Sequence, residues 1–344
     1  MIIYIILPLL LVPGFFMKNK SLCCLWCGIV LFLMSALYFN PSVSGVYNAL
    51  PSLQVSALSF TGLPYAYLYI AKLFTMIIPD YRVFAVVMSL ISTAGLMLYI
   101  RKYCYYCSAS AVTAVASGFW FMSLYAPAAF LGLVISAFSF RYAFEKRFVR
   151  FAAILLLASC FMPEAIILLP LFIIFIVPPT VWHLPVAAGG AFLLLATDIT
   201  KGFSFFGENT KESPDFVMPL VMTVFAVACV FAIKIIARRG SYNLNMITLL
   251  LASSVLSVGS LNDSRLINFA LICFFPAALT LVPEIISVVK ALISLVFKEK
   301  KRPLLICSAI VLFAAAAFIY AHILNGNIFT IPTYESWLGM EVAS

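Results

Sequence analysis

The chain alternates between long apolar runs and short polar stretches along almost its whole length. A helix needs roughly 20 apolar residues, or about 17 at the short end, to cross the hydrocarbon core of a bilayer. By that criterion the pattern predicts spans at residues 2–17, 22–39, 83–100, 108–124, 126–140, 151–163, 165–178, 181–197, 216–236, 245–260, 266–283 and 303–323. The expected fold class is therefore an all-α polytopic membrane protein with about 12 transmembrane helices, forming a single integral membrane domain over residues 1–344.

Several segments do not fit the spanning pattern. Residues 65–79 are too short and too polar to cross, and we interpret them as an outer half-helix. Residues 284–302 place Ile, Val and Leu on one face and end in a basic cluster, which is typical of an amphipathic helix on the cytoplasmic surface. We expect outer loops at 40–64 and 198–215, and an outer C-terminal tail at 324–344.

The run between residues 151 and 178 admits two readings, one long helix or two segments. Pro163 and Glu164 lie in its middle, and both favour a break or a hairpin. The two spans predicted there depend on that break.

Composition agrees with the hydropathy pattern. The 344 residues are 65% hydrophobic and 10% charged, and their mean hydropathy is +1.14. Soluble domains are about 45–50% apolar and about 25% charged, so lipid must cover much of this surface. We interpret residues 2–17 as a first span, because they lack a basic n-region and a small-residue cleavage site.

The charges indicate an orientation. The net charge is +9, but the basic residues stand in short clusters between apolar runs, which argues against a nucleic-acid partner. If residues 65–79 do not cross, 16 of the 21 basic residues fall on one side, which the positive-inside rule identifies as the cytoplasm. The five outer basic residues are then Lys72, Arg82, Lys201, Lys211 and Arg265. The localisation expected is the bacterial inner membrane, with multiple passes.

The nine cysteines do not form a disulfide framework, since most of them lie inside apolar runs. Two clusters stand near predicted cytoplasmic edges: Cys23, Cys24 and Cys27, then Cys104 and Cys107. A zinc site needs four converging ligands, and the two histidines, His183 and His322, are distant in sequence. We interpret the cysteines as small hydrophobes and expect no metal and no cofactor.

Two residues are the candidates for catalysis. Arg265 lies in a polar turn on the outer side, where its planar guanidinium suits a phosphate or carboxylate. The alternative is a boundary charge that reaches the headgroups or pairs with Asp263. Glu164 interrupts an apolar run and is a candidate general base, while the alternative is a turn carboxylate in water.

The outer stretch supplies candidate binding residues. Tyr47, Tyr65, Lys72 and Arg82 offer aromatic faces, hydroxyl groups and cations for a glycan diphosphate. Tyrosines at this depth are equally typical of an interfacial aromatic belt. Asp263 completes the candidate substrate-binding set.

Together these segments resemble the EpsG/Wzy-type polymerases of exopolysaccharide and O-antigen synthesis. The resemblance runs from about residue 40 to 178 and again over 260–283. It is carried by NPSVSGVYNAL, TGLPYAYLYIAKLF, LMLYIRKY, SFRYAFEKRFVRF, LASCFMPEAIILLP and SRLINFALICFFP. Val43, Met162 and Glu164 stand where the family has Asp, His and Ser.

The resemblance implies glycosyl transfer at the periplasmic face. The expected partners are an undecaprenyl-diphosphate-linked oligosaccharide, membrane lipids and a chain-length regulator. Arg265 would bind the leaving diphosphate, with Arg82 or Lys72 assisting, and Glu164 would act as base. Other readings remain open: a flippase for the same lipid-linked glycans, a multi-span transferase using lipid-phosphate sugars, and a structural membrane subunit.

Overall fold

The computed structural model describes residues 10–36, 64–78, 80–117, 119–175, 180, 183–196, 217–231, 241–262 and 266–297. Within these ranges the chain is helical and contains no strand. The α-helices are α1 Lys20–Ala36, α2 Tyr65–Ile77, α3 Tyr81–Tyr103, α4 Cys107–Ala116, α5 Met122–Tyr125, α6 Pro127–Phe144, α7 Phe148–Ser159, α8 Leu168–Phe175, α9 His183–Ala196, α10 Val217–Phe231, α11 Ser241–Gly259 and α12 Leu266–Phe297. Short 3-10 helices occupy Val12–Phe16, Phe119–Phe121 and Pro163–Ile167.

Four stretches of helix in the described residues are long and apolar enough to cross a membrane. They are Tyr81–Tyr103, Pro127–Phe144, Tyr242–Gly259 and Leu266–Ser287. The all-α class is thereby confirmed for the described residues, and the count of about 12 spans stays a prediction. The span predicted at 303–323, the loops at 40–64 and 198–215 and the tail at 324–344 lie outside the described residues.

The outward faces of the helices are apolar. On α1, Leu22, Leu25, Ile29 and Leu33 are between 45% and 60% exposed, and their spacing places them on one helical face. The opposite face buries three cysteines and a serine. A water-soluble helix has the reverse arrangement, so this surface is suited to lipid.

The helices divide into two compact units. Among the described residues, the first unit holds 10–135 with 156–163, and the second holds 136–155 with the residues from Glu164 onward. In the first unit α1 packs along α3 in the antiparallel sense. At one end the Lys20 ammonium donates to the carbonyl of Cys104 over 2.6 Å, and at the other Ser35 Oγ donates to Ser89 Oγ over 3.2 Å.

This antiparallel pairing bears on the predicted orientation. It places Lys20 at the same end of the first unit as Arg101 and Lys102, which close α3. The segment between α1 and α3 therefore returns the chain to the end at which it left. The half-helix at 65–79 is compatible with this arrangement and stays a prediction.

Helix α2 has the length of that half-helix. Its 13 residues extend about 20 Å, which is short of the roughly 30 Å hydrocarbon core. The next helix, α3, begins at once because the Asp80 carboxylate caps it, accepting from the backbone N–H of Arg82 over 2.8 Å. Tyr67 and Phe74 of α2 meet the ring of Phe84 edge-on, with centroids 5.5 and 5.6 Å apart.

Two predicted spans are interrupted. The run at 108–124 is divided into α4, a 3-10 turn and the four-residue α5, so it is not one continuous helix. The run at 151–178 is also broken, since α7 ends at Ser159, a 3-10 turn begins at Pro163 and α8 follows. The second break confirms the reading based on Pro163.

In the second unit α11 is the central helix, in contact with α8, α9, α10 and α12. Three of its buried serines, Ser253, Ser254 and Ser257, donate to carbonyls three residues earlier, so the helix satisfies its own hydroxyl groups. Helix α12 continues unbroken through Pro276 and Pro283 to Phe297. The surface helix predicted at 284–302 therefore does not begin separately, because the described part of it extends the preceding span.

Candidate functional site

Serine hydroxyl groups from three helices meet inside the first unit. Ser35 of α1 donates to Ser89 of α3 and lies 3.3 Å from Ser123 of α5, oxygen to oxygen. Ser35 and Ser123 are 5% and 8% exposed. A hydroxyl in an apolar interior needs a partner, and here each serine supplies one to another. We call these three residues the serine cluster.

A cavity of about 20 Å³ adjoins the serine cluster. Tyr67 of α2, Tyr81 of α3 and Ser92 help to line it. That volume holds a single water molecule and does not hold a sugar ring. Burial raises the pKa of Tyr67, so its side chain stays a neutral phenol that can donate a hydrogen bond.

The two described candidate cations stand on the elements that surround this cavity. Lys72 is half-buried on α2, and its carbonyl accepts from the Thr75 hydroxyl over 2.7 Å. Arg82 is exposed in the first turn of α3, two residues after the Asp80 cap. Lys72 therefore lies in the middle of α2, and Arg82 lies just after the turn that joins α2 to α3.

Glu164 is the described candidate base. It stands in the first turn of the 3-10 helix Pro163–Ile167 and is half-buried. It is the first residue of the longer of the two chain segments that form the second unit. Its position at a helix break, with part of its surface accessible, is compatible with either of the roles considered for it.

Of the remaining predicted site residues, only Tyr65 lies in the part of the chain that the structure describes. Tyr65 is the first residue of α2, following the N-cap Pro64. Arg265, Asp263 and Tyr47 lie outside the described residues. The roles assigned to these residues stay predictions.

A buried carboxyl group in the second unit was not among the predicted site residues. Glu284 of α12 is 1% exposed and accepts from the Asn243 side-chain amide over 3.3 Å. An ionisable group at this depth is costly, and in membrane proteins it commonly serves transport or catalysis. The amphipathic pattern after residue 284 concealed it, because that pattern placed Glu284 on an exposed surface helix.

The structure also brings together cysteines that the sequence analysis interpreted as separate small hydrophobes. The Sγ atoms of Cys23, Cys27 and Cys107 all lie within 4.8 Å of one another, and all three residues are buried. The signal was present as two Cys-x-x-Cys spacings, at 24–27 and 104–107. Their 80-residue separation hid the convergence.

No protein-family model, curated protein or solved structure matches the chain. Its class therefore rests on its own helices. In the part of the chain that the structure describes, four apolar helices of spanning length and exposed apolar helix faces define a helical membrane protein.

Proposed function

We propose that the chain polymerises lipid-linked oligosaccharide repeat units into a surface polysaccharide, at the periplasmic face of the bacterial inner membrane. The observation that carries the proposal is the α2–α3 turn. Helix α2 is too short to span and carries Lys72, α3 begins with Arg82 in its first turn, and hydroxyl groups from both helices line the cavity between them. A lipid-anchored diphosphate presents its charge at this depth, where guanidinium and ammonium groups bind it.

In this proposal the reaction is a displacement at an anomeric carbon. A hydroxyl oxygen of the acceptor repeat unit attacks the donor sugar, and the bond to the undecaprenyl diphosphate oxygen breaks. Glu164 receives the hydroxyl proton as general base. Arg265 stabilises the negative charge that develops on the departing diphosphate, with Arg82 or Lys72 assisting.

The other proposed residues bind the glycan. Tyr47 and Tyr65 offer aromatic faces to sugar rings, and Asp263 accepts hydrogen bonds from hydroxyl groups or orients Arg265. The mechanism requires no nucleotide sugar, and a chain-length regulator is the protein partner it implies.

The test is the surface-polysaccharide banding pattern of a deletion strain, with and without the restored gene. A polymerase predicts collapse of the ladder to a single capped repeat unit. Arg265→Ala and Glu164→Gln should reproduce that collapse at normal membrane levels of the protein. Lys201→Ala, which removes a predicted outer cation with no assigned role, is the matched control and should leave the ladder unchanged. A full-length ladder with Arg265→Ala would end the assignment of that residue.

A second candidate, a flippase for the same lipid-linked glycans, is favoured by Glu284. Transporters keep charged groups inside the helical bundle, and Glu284 is buried within a span and paired with Asn243. A flippase predicts loss of every surface repeat, with lipid-linked units accumulating on the inner side. The same strains therefore separate the two functions.

A further inference from the structure

One cluster of side chains is not used by the proposed function. Helix α1 begins with Cys23, Cys24 and Cys27, and Cys107 begins α4. Cys23 and Cys27 are one helical turn apart and so share a face, and Cys107 meets that face from across the unit. These four residues are thiols in the structure, and their exposure is 5% or less.

The spacing of the sulfur atoms is close to that of a metal site. In a tetrahedral zinc site a Zn–S bond of about 2.3 Å sets the sulfur atoms about 3.8 Å apart. The three Sγ atoms lie within 4.8 Å of one another, so a shift of roughly 1 Å closes them on an ion. Cys24 is outside this 4.8 Å set, but it follows Cys23 on α1 and its thiol interacts with Cys107, so a further rearrangement can supply a fourth sulfur.

The surroundings also fit an ion held by thiolates. Ser108 Oγ lies 2.9 Å from Cys23 Sγ, and outer-shell hydrogen bonds of this kind orient metal ligands. A cavity of about 240 Å³ reaches Cys23, Cys107 and Ser108 and is lined at its polar side by Lys18 and Lys20. It provides a path of entry to side chains that are themselves buried.

Charge supports the same conclusion. Binding Zn²⁺ to three thiols releases three protons to water and leaves a site of net charge −1, or −2 once Cys24 joins. Lys18 and Lys20 line the cavity on one side, and Arg101 lines a groove with Cys24 on the other. These cations offset the negative charge of a thiolate site.

We propose that Cys23, Cys27 and Cys107, joined by Cys24, form a binding site for a thiophilic closed-shell cation of the Zn²⁺ or Cu⁺ class. Soft thiolate ligands select these ions over Mg²⁺ and Ca²⁺. The bound ion ties the start of α1 to the start of α4, and the 3-10 turn Val12–Phe16 packs against both helices. The ion would hold these two helices together at one end of the first unit. This proposal does not depend on the proposed glycan function.

The first test uses the full-length wild-type chain in detergent, fully reduced. Cysteines are alkylated with and without added Zn²⁺, and separately with Cu⁺, and are then located by mass spectrometry. The proposal predicts at least tenfold slower alkylation of Cys23, Cys27 and Cys107 with one equivalent of ion. Cys160, which is exposed, should react at an unchanged rate. Equal protection of Cys160, or no protection of the three, overturns the proposal.

Variants then locate the ligands. Cys107→Ser should abolish stoichiometric metal measured by elemental analysis, and its buried neighbour Cys104→Ser should retain it. Gly14→Ala is a second variant that removes no thiol. Its new methyl carbon would lie 2.5 Å from Ser108 Oγ, 3.3 Å from Cys27 Sγ and 3.5 Å from Cys23 Sγ. Ser108 must move away from Cys23, so we expect metal binding to fall by at least tenfold with all thiols present. Metal retained by Cys107→Ser, or recovery of Cys23 and Cys107 as a disulfide from unreduced membranes, would refute the site.

Discussion

Helix α1 carries two polar clusters of different chemistry, about 12–18 Å apart along its axis. At its first turns the thiols of Cys23 and Cys27 converge with Cys107 beside an open cavity. Near its last turn Ser35 joins Ser89 and Ser123 around a space for one water molecule. The same helix therefore begins at a site that can receive a ligand and ends at a cluster whose hydroxyl groups already have one another as partners.

The difference follows from the donors and acceptors. A hydroxyl group both donates and accepts strongly, so three serines can satisfy one another and hold their helices together. A thiol is a weak donor and a weak acceptor, so converging thiols gain little from one another. Their strong partner is a soft cation, and this is why we assign ligand binding to the thiol end.

The largest loss of stability is expected from adding a side chain at Gly132, where α6 packs closely against the end of α7. An added Cβ at Gly132 of α6 would lie 2.6 Å from Met162 Cβ, 3.0 Å from its backbone nitrogen and 3.1 Å from the Ala158 carbonyl oxygen. Because backbone atoms cannot move aside cheaply, Gly132→Ala should destabilise by about 1–3 kcal/mol, measured by unfolding in mixed detergent. Gly14→Ala, at the thiol end, meets side-chain tips first and should cost less stability.

The control for both glycines is Gly189→Ala in α9. Nothing lies within 4 Å of the added carbon there, so only helix propensity changes. We expect that variant to be unchanged or more stable by about 0.5–1 kcal/mol. Equal losses at Gly132 and Gly14 would contradict the contrast between a rigid crossing and an adaptable thiol end.

Removing the buried acid of the second unit is expected to rank next. Glu284→Ala leaves the Asn243 amide without this acceptor in a dry interior, which should cost about 1–3 kcal/mol of unfolding free energy. Glu284→Gln keeps an acceptor and should lose less. A double-mutant cycle with Asn243→Ala measures the coupling, and a coupling energy of zero would show that the pair does not stabilise the unit.

A smaller loss is expected at the serine cluster. Ser35→Ala removes a hydroxyl that contacts two others, and interhelical hydrogen bonds in membrane proteins contribute about 0.6 kcal/mol on average. We expect a loss of about 0.5–1.5 kcal/mol in the same unfolding assay. Ser159→Ala is the control, because the Ser159 hydroxyl donates to the Leu156 carbonyl within its own exposed turn. A neutral Ser35→Ala variant would mean that the serines are not held by one another.

The smallest effect is expected from a surface charge in the turn between α6 and α7. The Arg141 guanidinium, 2.6 Å from the Glu145 carboxylate, lowers the pKa of Glu145, and Arg147 adds to this. The stabilisation from the ion pairs of Glu145 is therefore fully present above the ordinary carboxyl pKa. It is lost as pH falls through the lowered pKa of the folded state. The stability difference between wild type and Glu145→Gln should be small at pH 7 and vanish at strongly acidic pH. A difference that grew on acidification would contradict this sign.

The local sequence pattern predicted structure well where a feature depends on the residues of a single segment. The shortness of α2, the break at Pro163 and the shared end of Lys20 and Arg101 could all be read from hydropathy, proline and charge. The first and last residues of the helices were harder to predict from the sequence. The run at 108–124 is divided, and α12 passes residue 284 without a break.

The candidate sites depended on packing that sequence spacing does not encode. Cys23 and Cys107 meet only because α1 and α4 pack together, and Glu284 is buried only because α12 lies along α11. The interpretation of the cysteines as small hydrophobes rested on their apolar surroundings and on the distance of the two histidines in sequence. A pair of Cys-x-x-Cys spacings, each beside a basic cluster predicted on the same side of the membrane, was the available signal.

Helix α12 has a mechanical consequence. Its 32 residues extend about 48 Å, whereas its apolar span Leu266–Ser287 covers about 33 Å. The last 15 Å or so therefore act as a lever arm beyond the hydrocarbon core. A change of about 10° in the tilt of the span moves the far end by roughly 8 Å relative to the near end. Long helices adjust their tilt to bilayer thickness. A change in membrane thickness would therefore displace the C-terminal end of α12 on the side where the helix leaves the membrane.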